Sequence, residues 1–518
     1  MSFWALLGMT IFMHIPMKGI KHLTEGPILR QLFLLAMPIM ATSFIQMAYS
    51  LTDMAWVGRL GSEAIAAVGS VGLLTWMTTS ISLLNKVGSE VSVGQAIGMK
   101  DEAAARSFAT HNLTLSLMIS LVWASVLFTF AVPIIRIYEL EAHIAADAVS
   151  YLRIVSSAFP FVFMSAAFTG IFNASGRSKI PFTINGIGLA INMILDPLFI
   201  FVLDWKTDGA AWATWIAQAC VFTLFIYQLK FKSILWDDFV FFGKLKRLYT
   251  MRIIKIGLPV ATLNALFAFV NMFLGRTAST VGGHIGLMAM TTSGQIEAIT
   301  WNTSQGFSTA LSAFVAQNYA AQKRERVMKA LKSTLFMTLI FGTICSLLFI
   351  FCGNNIFAIF VPEKEAYEAG GLALRIDGYS QLFMMLEITT QGVFYGMGRT
   401  VPPAIISISC NYLRIPMALW LVSLGWGLSG IWWTICLTSI MKGIVILVWF
   451  LIIKKRHWTK FSINLNIDKY EKDKIYGNPV VRLHDFERMR KHEQYNQGRF
   501  ARWWRWGSPR SRSRWYHR

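Results

Sequence analysis

Between residues 31 and 453 the chain falls twelve times into runs of mostly apolar residues, separated by short polar stretches. Each run reaches the roughly 20 residues needed to cross a bilayer, and in lipid a segment of that kind satisfies its backbone amides and carbonyls as a helix. Only 14% of the residues are charged, where a soluble domain carries roughly 25%, so little polar surface is left to cover these runs in water. The expectation is an all-α polytopic membrane protein with twelve transmembrane helices.

The 48 Lys and Arg against 27 Asp and Glu, a net charge of +21, would suit nucleic acid if the bases formed one surface. They do not. Lys100, Arg106, Arg177, Lys179, Lys230, Lys244, Lys323, Arg326 and Arg399 fall in alternate loops, and Lys454, Lys455 and Arg456 follow the last span. This alternation places the basic loops and both termini on the cytoplasmic side of the plasma (inner) membrane, with no nucleic-acid partner. Residues 1–27 read as a cytoplasmic lead, with Met17 the expected true start, and residues 454–518 as a basic, disordered tail whose Arg and Trp stay near membrane lipid. Cys220, Cys345, Cys352, Cys410 and Cys436 are scattered without metal-ligand spacing and read as apolar packing residues, with no disulfide framework.

Sliding the sequence against itself by 221 to 222 residues aligns "LRI" at Leu152 with "LRI" at Leu374, and "GRS" at Gly176 with "GRT" at Gly398. Gln95 meets Gln317, Gly170 meets Gly392, Pro181 meets Pro403, and Pro38 meets Pro259. Each copy holds six spans, an even number, so both enter on the same side and are related by an axis along the membrane normal. The chain therefore reads as two six-helix lobes in a parallel internal repeat, residues 28–230 and 252–453, joined by a cytoplasmic linker over 231–251.

Duplication supplies an internal control. Shared glycines, prolines and loop arginines are explained by turns, close packing and orientation, whereas residues private to one copy are where function can have specialised. Asp53 matches Leu274, Tyr151 matches Ala373, Asn192 matches Arg414, Asp196 matches Ala418, and Thr214 matches Ile435. Asp53 lies late in the first span, Tyr151 early in the fourth, Asp196 late in the fifth and Thr214 early in the sixth, so all four reach the outer half of the bilayer. Asn192 and Asp196, four apart, share one helix face, and Pro197 follows directly. A lone intramembrane carboxylate costs on the order of 3 kcal/mol on insertion scales, so such residues are paired or functional. Lys86 and Glu90, four apart in the second span, are expected to pair with each other. In the second lobe Glu297, Glu387, Arg414 and Lys442 fall at similar depth and read as a structural charge network.

"LTEGPILRQLFLLAMPIM", "DMAWVGRLGSEAIAAVG", "GRSKIPF" and "NMILDPLFIF" resemble the multidrug and toxic compound extrusion (MATE) transporters, nearest the DinF-like branch, over residues 17 to 455. The resemblance implies a multidrug efflux antiporter, not an enzyme, that exports small organic and often cationic compounds as a monomer. Protons or sodium would be the coupling ion, with no cofactor. It implies a cation site at Asp53, Tyr151, Asn192, Asp196 and Thr214; the branch's helix-4 asparagine falls at Thr169, with Asn173 one turn away as a further polar contact. Pro38 offers a hinge in helix 1. The same oxygens could take a proton or ligate sodium, which leaves the ion open. The alternative is a lipid-linked-sugar or other amphiphile flippase of the wider superfamily, which would favour a cationic cavity for a diphosphate. No P-loop and no HExxH motif occurs to support ATP-driven or metalloprotease chemistry.

Overall fold

The computed structural model describes residues 21–232, 235–236, 239–361 and 363–457, and every regular element among them is helical. Expectations for Met17 and for the tail beyond residue 457 lie outside the described residues. In the first half the spans are α1 (Ile28–Gly58), α2 (Ser62–Gly98), α3 (Glu102–Thr129), α4 (Ala142–Ala174), α5 (Lys179–Pro197) and α6 (Lys206–Lys230). In the second, one helical run, Arg247–Ala320, carries both α7 (residues 247–282) and α8 (284–320). The chain turns back there at Gly283, whose φ of 59° and ψ of −146° suit a residue without a Cβ. α9 is Arg324–Phe360, α10 comes in two pieces, Lys364–Gly378 and Gln381–Gly396, α11 is Val401–Leu421, and α12 is Gly427–His457.

The duplication is visible in the backbone. α5 and α11 each continue into a π-helical turn, Leu198–Val202 and Val422–Trp426. In α5 this turn follows Pro197, which cannot donate the helical hydrogen bond expected of its position. Gly176 and Gly398, the equivalent glycines of "GRS" and "GRT", adopt φ of 72° and 73°. Side chains are sorted as lipid requires. Phe351 and Ile359 on α9 are 77% and 79% exposed, while Asn192, Asp196, Gln317 and Gln381 are fully buried. A soluble protein shows the reverse.

On the face carrying the basic loops, the basic face, the two halves meet closely. Gly94 on α2 lies against Ala316 on α8, 3.0 Å from the nearest atom for an added Cβ, and Gly98 lies against the Gln317 backbone. Gln95 Nε2 donates to the Gly396 carbonyl (3.0 Å) and Gln317 Nε2 to the Ala174 carbonyl (2.7 Å), so two equivalent glutamines cross the junction in opposite directions. The lead is tied into this junction. Leu23 N–H donates to Gln317 Oε1 (2.7 Å), Asn318 Nδ2 to the Leu23 carbonyl (3.1 Å), and Lys21 N–H to the Ser175 carbonyl (3.1 Å).

Candidate functional site

α1 presents Asp53 and, one turn earlier, Tyr49 on the same face. α5 presents Asn192 and Asp196, both fully buried, with Asn192 Nδ2 donating to Asp196 Oδ1 at 2.9 Å. Asp53 acts electrostatically on Asp196, and both carboxyls act on Tyr49 and on the buried Tyr151 of α4. Thr214 and Gln218 of α6 face the Tyr49 hydroxyl. Four helices thus bring Asp53, Tyr151, Asn192, Asp196 and Thr214 together, with Tyr49 and Gln218 added.

The polar atoms in this group are left open. Asp53 Oδ1, Asp196 Oδ2, Asn192 Oδ1 and the Tyr49 hydroxyl are buried without a hydrogen-bond partner, and among the described residues no Lys or Arg acts on either carboxyl. Two buried carboxyls without a base cannot both carry charge at small cost. The donors on offer are carboxyl, amide, hydroxyl and phenol oxygens. Such a set takes a proton or a small hard cation and offers nothing to a soft metal. The corresponding residues of the second half, Leu274, Ala373 and Ala418, are fully buried in one apolar cluster with Val270, Ile431 and Trp432, and Ile435 packs against it. The positions of Asp53, Tyr151, Asp196 and Thr214 are thus filled by hydrocarbon in the second copy, while that of Asn192 is taken by the charged Arg414.

Thr169 and Asn173 do not join the site. Asn173 is 22 residues beyond Tyr151 on α4, about 33 Å along the axis at 1.5 Å per residue, which carries it to the basic face. Thr169 donates to the Ser165 carbonyl of its own helix (2.8 Å), and Asn173 faces Glu90 instead. Pro38 sits inside α1, which runs unbroken through it; Thr42 Oγ1 donates to the Pro38 carbonyl at 2.8 Å.

The charges of the second half form a network. Lys442 Nζ lies 3.1 Å from Glu387 Oε2, while Ser407 Oγ (2.6 Å) and Gln391 Nε2 (2.9 Å) donate to Glu387 Oε1. Arg414 donates to Thr438 Oγ1 and Ser439 Oγ, each at 2.9 Å, and acts on Glu297 only electrostatically. Asp377 on α10, buried and acting on both Glu297 and Arg414, is a further member. It faces Val155 in the self-alignment, so the comparison that exposes Asp53 exposes it too.

The MatE family model matches the chain twice, over residues 38–198 and 259–420, copies that start 221 and end 222 residues apart. Among curated relatives, "Probable multidrug resistance protein NorM" of Thermotoga maritima is 25% identical over 442 residues, covering 82% of this chain and 92% of the relative. "Probable multidrug resistance protein YoeA" of Bacillus subtilis is 26% identical over 407 residues, covering 75% and 86%. "Multidrug export protein MepA" of Staphylococcus aureus is 20% identical over 430 residues, covering 82% and 93%. A solved MOP superfamily transporter from Pyrococcus furiosus superposes with a TM-score of 0.80 at 21% identity, over 86% of this chain and all of that one. A structure titled "Crystal structure of MATE in the straight conformation" reaches 0.81 at 22% identity, also over 86% of this chain and all of that one.

Proposed function

The chain belongs to the MatE family, whose model covers more than half of its length in two tandem copies, and from that premise we propose a secondary active multidrug antiporter that exports small organic, often cationic, compounds in exchange for protons or sodium ions. Relatives named as multidrug resistance and multidrug export proteins support the substrate class. The observation that carries the reading is the Asp53 and Asp196 pair, each with a buried open oxygen and, among the described residues, no base acting on it. A cation or proton arriving from outside cancels one of the pair's two charges; its release to the cytoplasm restores that charge and the cost of burying it. The membrane potential contributes about 2.3 kcal/mol per net inward charge per 100 mV, enough to drive appreciable export of a neutral compound against one ion or of a monovalent cation against two.

The basic face is the cytoplasmic one in this reading, the membrane is the plasma membrane, and the working unit is a monomer in lipid. Pro38 gives α1 a place to bend as the charge at Asp53 changes. A flippase for a diphosphate-linked lipid would need a cationic pocket, and the carboxyl pair is the opposite.

The test is transport by the purified protein in liposomes with the proton and sodium gradients imposed separately. Efflux of a fluorescent organic cation driven by one gradient and abolished when it is collapsed is the expected result. Equal movement with no gradient would overturn the antiporter.

A further inference from the structure

The junction on the basic face holds two charges that the carboxyl site does not use. Glu90 on α2 is 3% exposed, and Lys86 lies one turn away on the same helix, half-buried and attracted to it. Ser312 of α8 and Asn173 of α4 face the Glu90 carboxyl, yet the buried Ser312 Oγ closes no hydrogen bond. Glu90 and Ser312 are 222 residues apart, as are Gly94 and Ala316, which touch one turn further along. Glu90 therefore faces its own duplicate across the axis relating the two halves.

This seam is tight around the charges. Gly88 lies against Ile253, the nearest atom 2.7 Å from an added Cβ, and Gly257 lies against the Leu84 backbone. Arg252 on α7 donates to Gln95 Oε1 at 2.6 Å, one turn below Val91. A charge pair in such a place loses much of its water, and its mutual attraction repays that loss only where the remaining hydrogen bonds are made. Here they are not all made.

We propose that Lys86 and Glu90 are the gating residues of the cytoplasmic seam, their burial keeping the closed seam poised to open. The proposal rests on the antiporter reading, in which the seam must part for the inward-facing state. Water reaching the parted seam rehydrates both groups, so opening is favoured by what closure costs. The second half carries Ser308 and Ser312 at the equivalent places, so this device belongs to one copy.

The experiment measures the width of the seam directly. Spin labels at Glu102→Cys and Glu325→Cys, exposed positions on either side of it, with Cys220 and Cys352 replaced by Ser, report closed and open populations in liposomes. Neutralising both charges with Lys86→Met and Glu90→Gln is expected to raise the closed-to-open ratio at least tenfold and to slow efflux. Each single substitution leaves one buried charge uncompensated and is expected to shift the ratio the other way. Should the double variant not fold, Lys86→Ser with Glu90→Ser copies the equivalent positions of the second half and carries the same expectation. Single and double variants moving together, or no movement in any, would sink the gate, because a packing role predicts one direction for all. Efflux by the unmutated chain in the same liposomes separates the two readings. If it is absent, the antiporter falls and the gate with it; if it is present while the labels ignore the pair, the gate alone falls.

Discussion

Asparagine has nearly the volume of aspartate and can still bond to Asn192 or Thr214, but it cannot ionise. Asp53→Asn and Asp196→Asn therefore test charge rather than packing, and each should abolish gradient-driven efflux while leaving the melting temperature close to the unmutated value. Wild-type coupling in both would reduce the pair to a polar contact between helices. Leu274 and Ala418, their apolar counterparts, should accept Leu274→Ile and Ala418→Ser with far smaller effects on efflux. Tyr49→Phe removes only a hydroxyl that closes no hydrogen bond, so a several-fold weaker response to the driving ion, at unchanged thermal stability, is the outcome that makes Tyr49 part of the site. Asp53 and Asp196 are legible in the sequence because an intramembrane acid is costly wherever it stands. Tyr49 and Gln218 are not, since tyrosine and glutamine are ordinary in a span; the signal for them is their place one turn from Asp53 and Thr214. Thr169 and Asn173 mislead for the converse reason, that nearness in a motif says nothing about depth along a 33-residue helix.

Among the elements, α10 and α12 are joined by the Glu387 and Lys442 pair, which Ser407 and Gln391 complete. Removing Lys442 leaves the Glu387 carboxylate buried with neutral donors alone, a loss that commonly amounts to about 3–5 kcal/mol. Lys442→Met should accordingly lower folded yield and melting temperature, and adding Glu387→Gln should recover much of both. If Lys442→Met folds normally but no longer transports, the second half carries chemistry and the structural reading of its network fails. Arg414→Ala should cost less than Lys442→Met, because its hydrogen bonds run to the hydroxyls of Thr438 and Ser439 rather than to an acid. Spacing alone pairs any two acids with any two bases at similar depth; the choice of Lys442 over Arg414 is made by which helices are neighbours. The helices themselves are legible from apolar length, including the disturbance after Pro197, but the break of α10 at Tyr379 and Ser380 has no proline to announce it.

At the scale of the whole molecule, the two copies enter the membrane from one side, which follows from six spans in each and is matched by two tandem family matches at the same offset. That arrangement and the basic-loop alternation together predict where each loop lies. Ala142 at the start of α4 and Lys364 at the start of α10 are equivalent positions, both exposed, while Lys244 lies in the basic connection between the halves. Single cysteines there, probed in intact cells with a membrane-impermeant maleimide, should react at Ala142→Cys and Lys364→Cys and stay silent at Lys244→Cys until the cells are opened. The reverse pattern at all three would turn the protein over and make the basic face external, so that the seam holding Glu90 would open outward. Labelling of Ala142→Cys without Lys364→Cys would instead make the halves antiparallel, and Glu90 would then have no reason to meet Ser312 across an axis along the membrane normal.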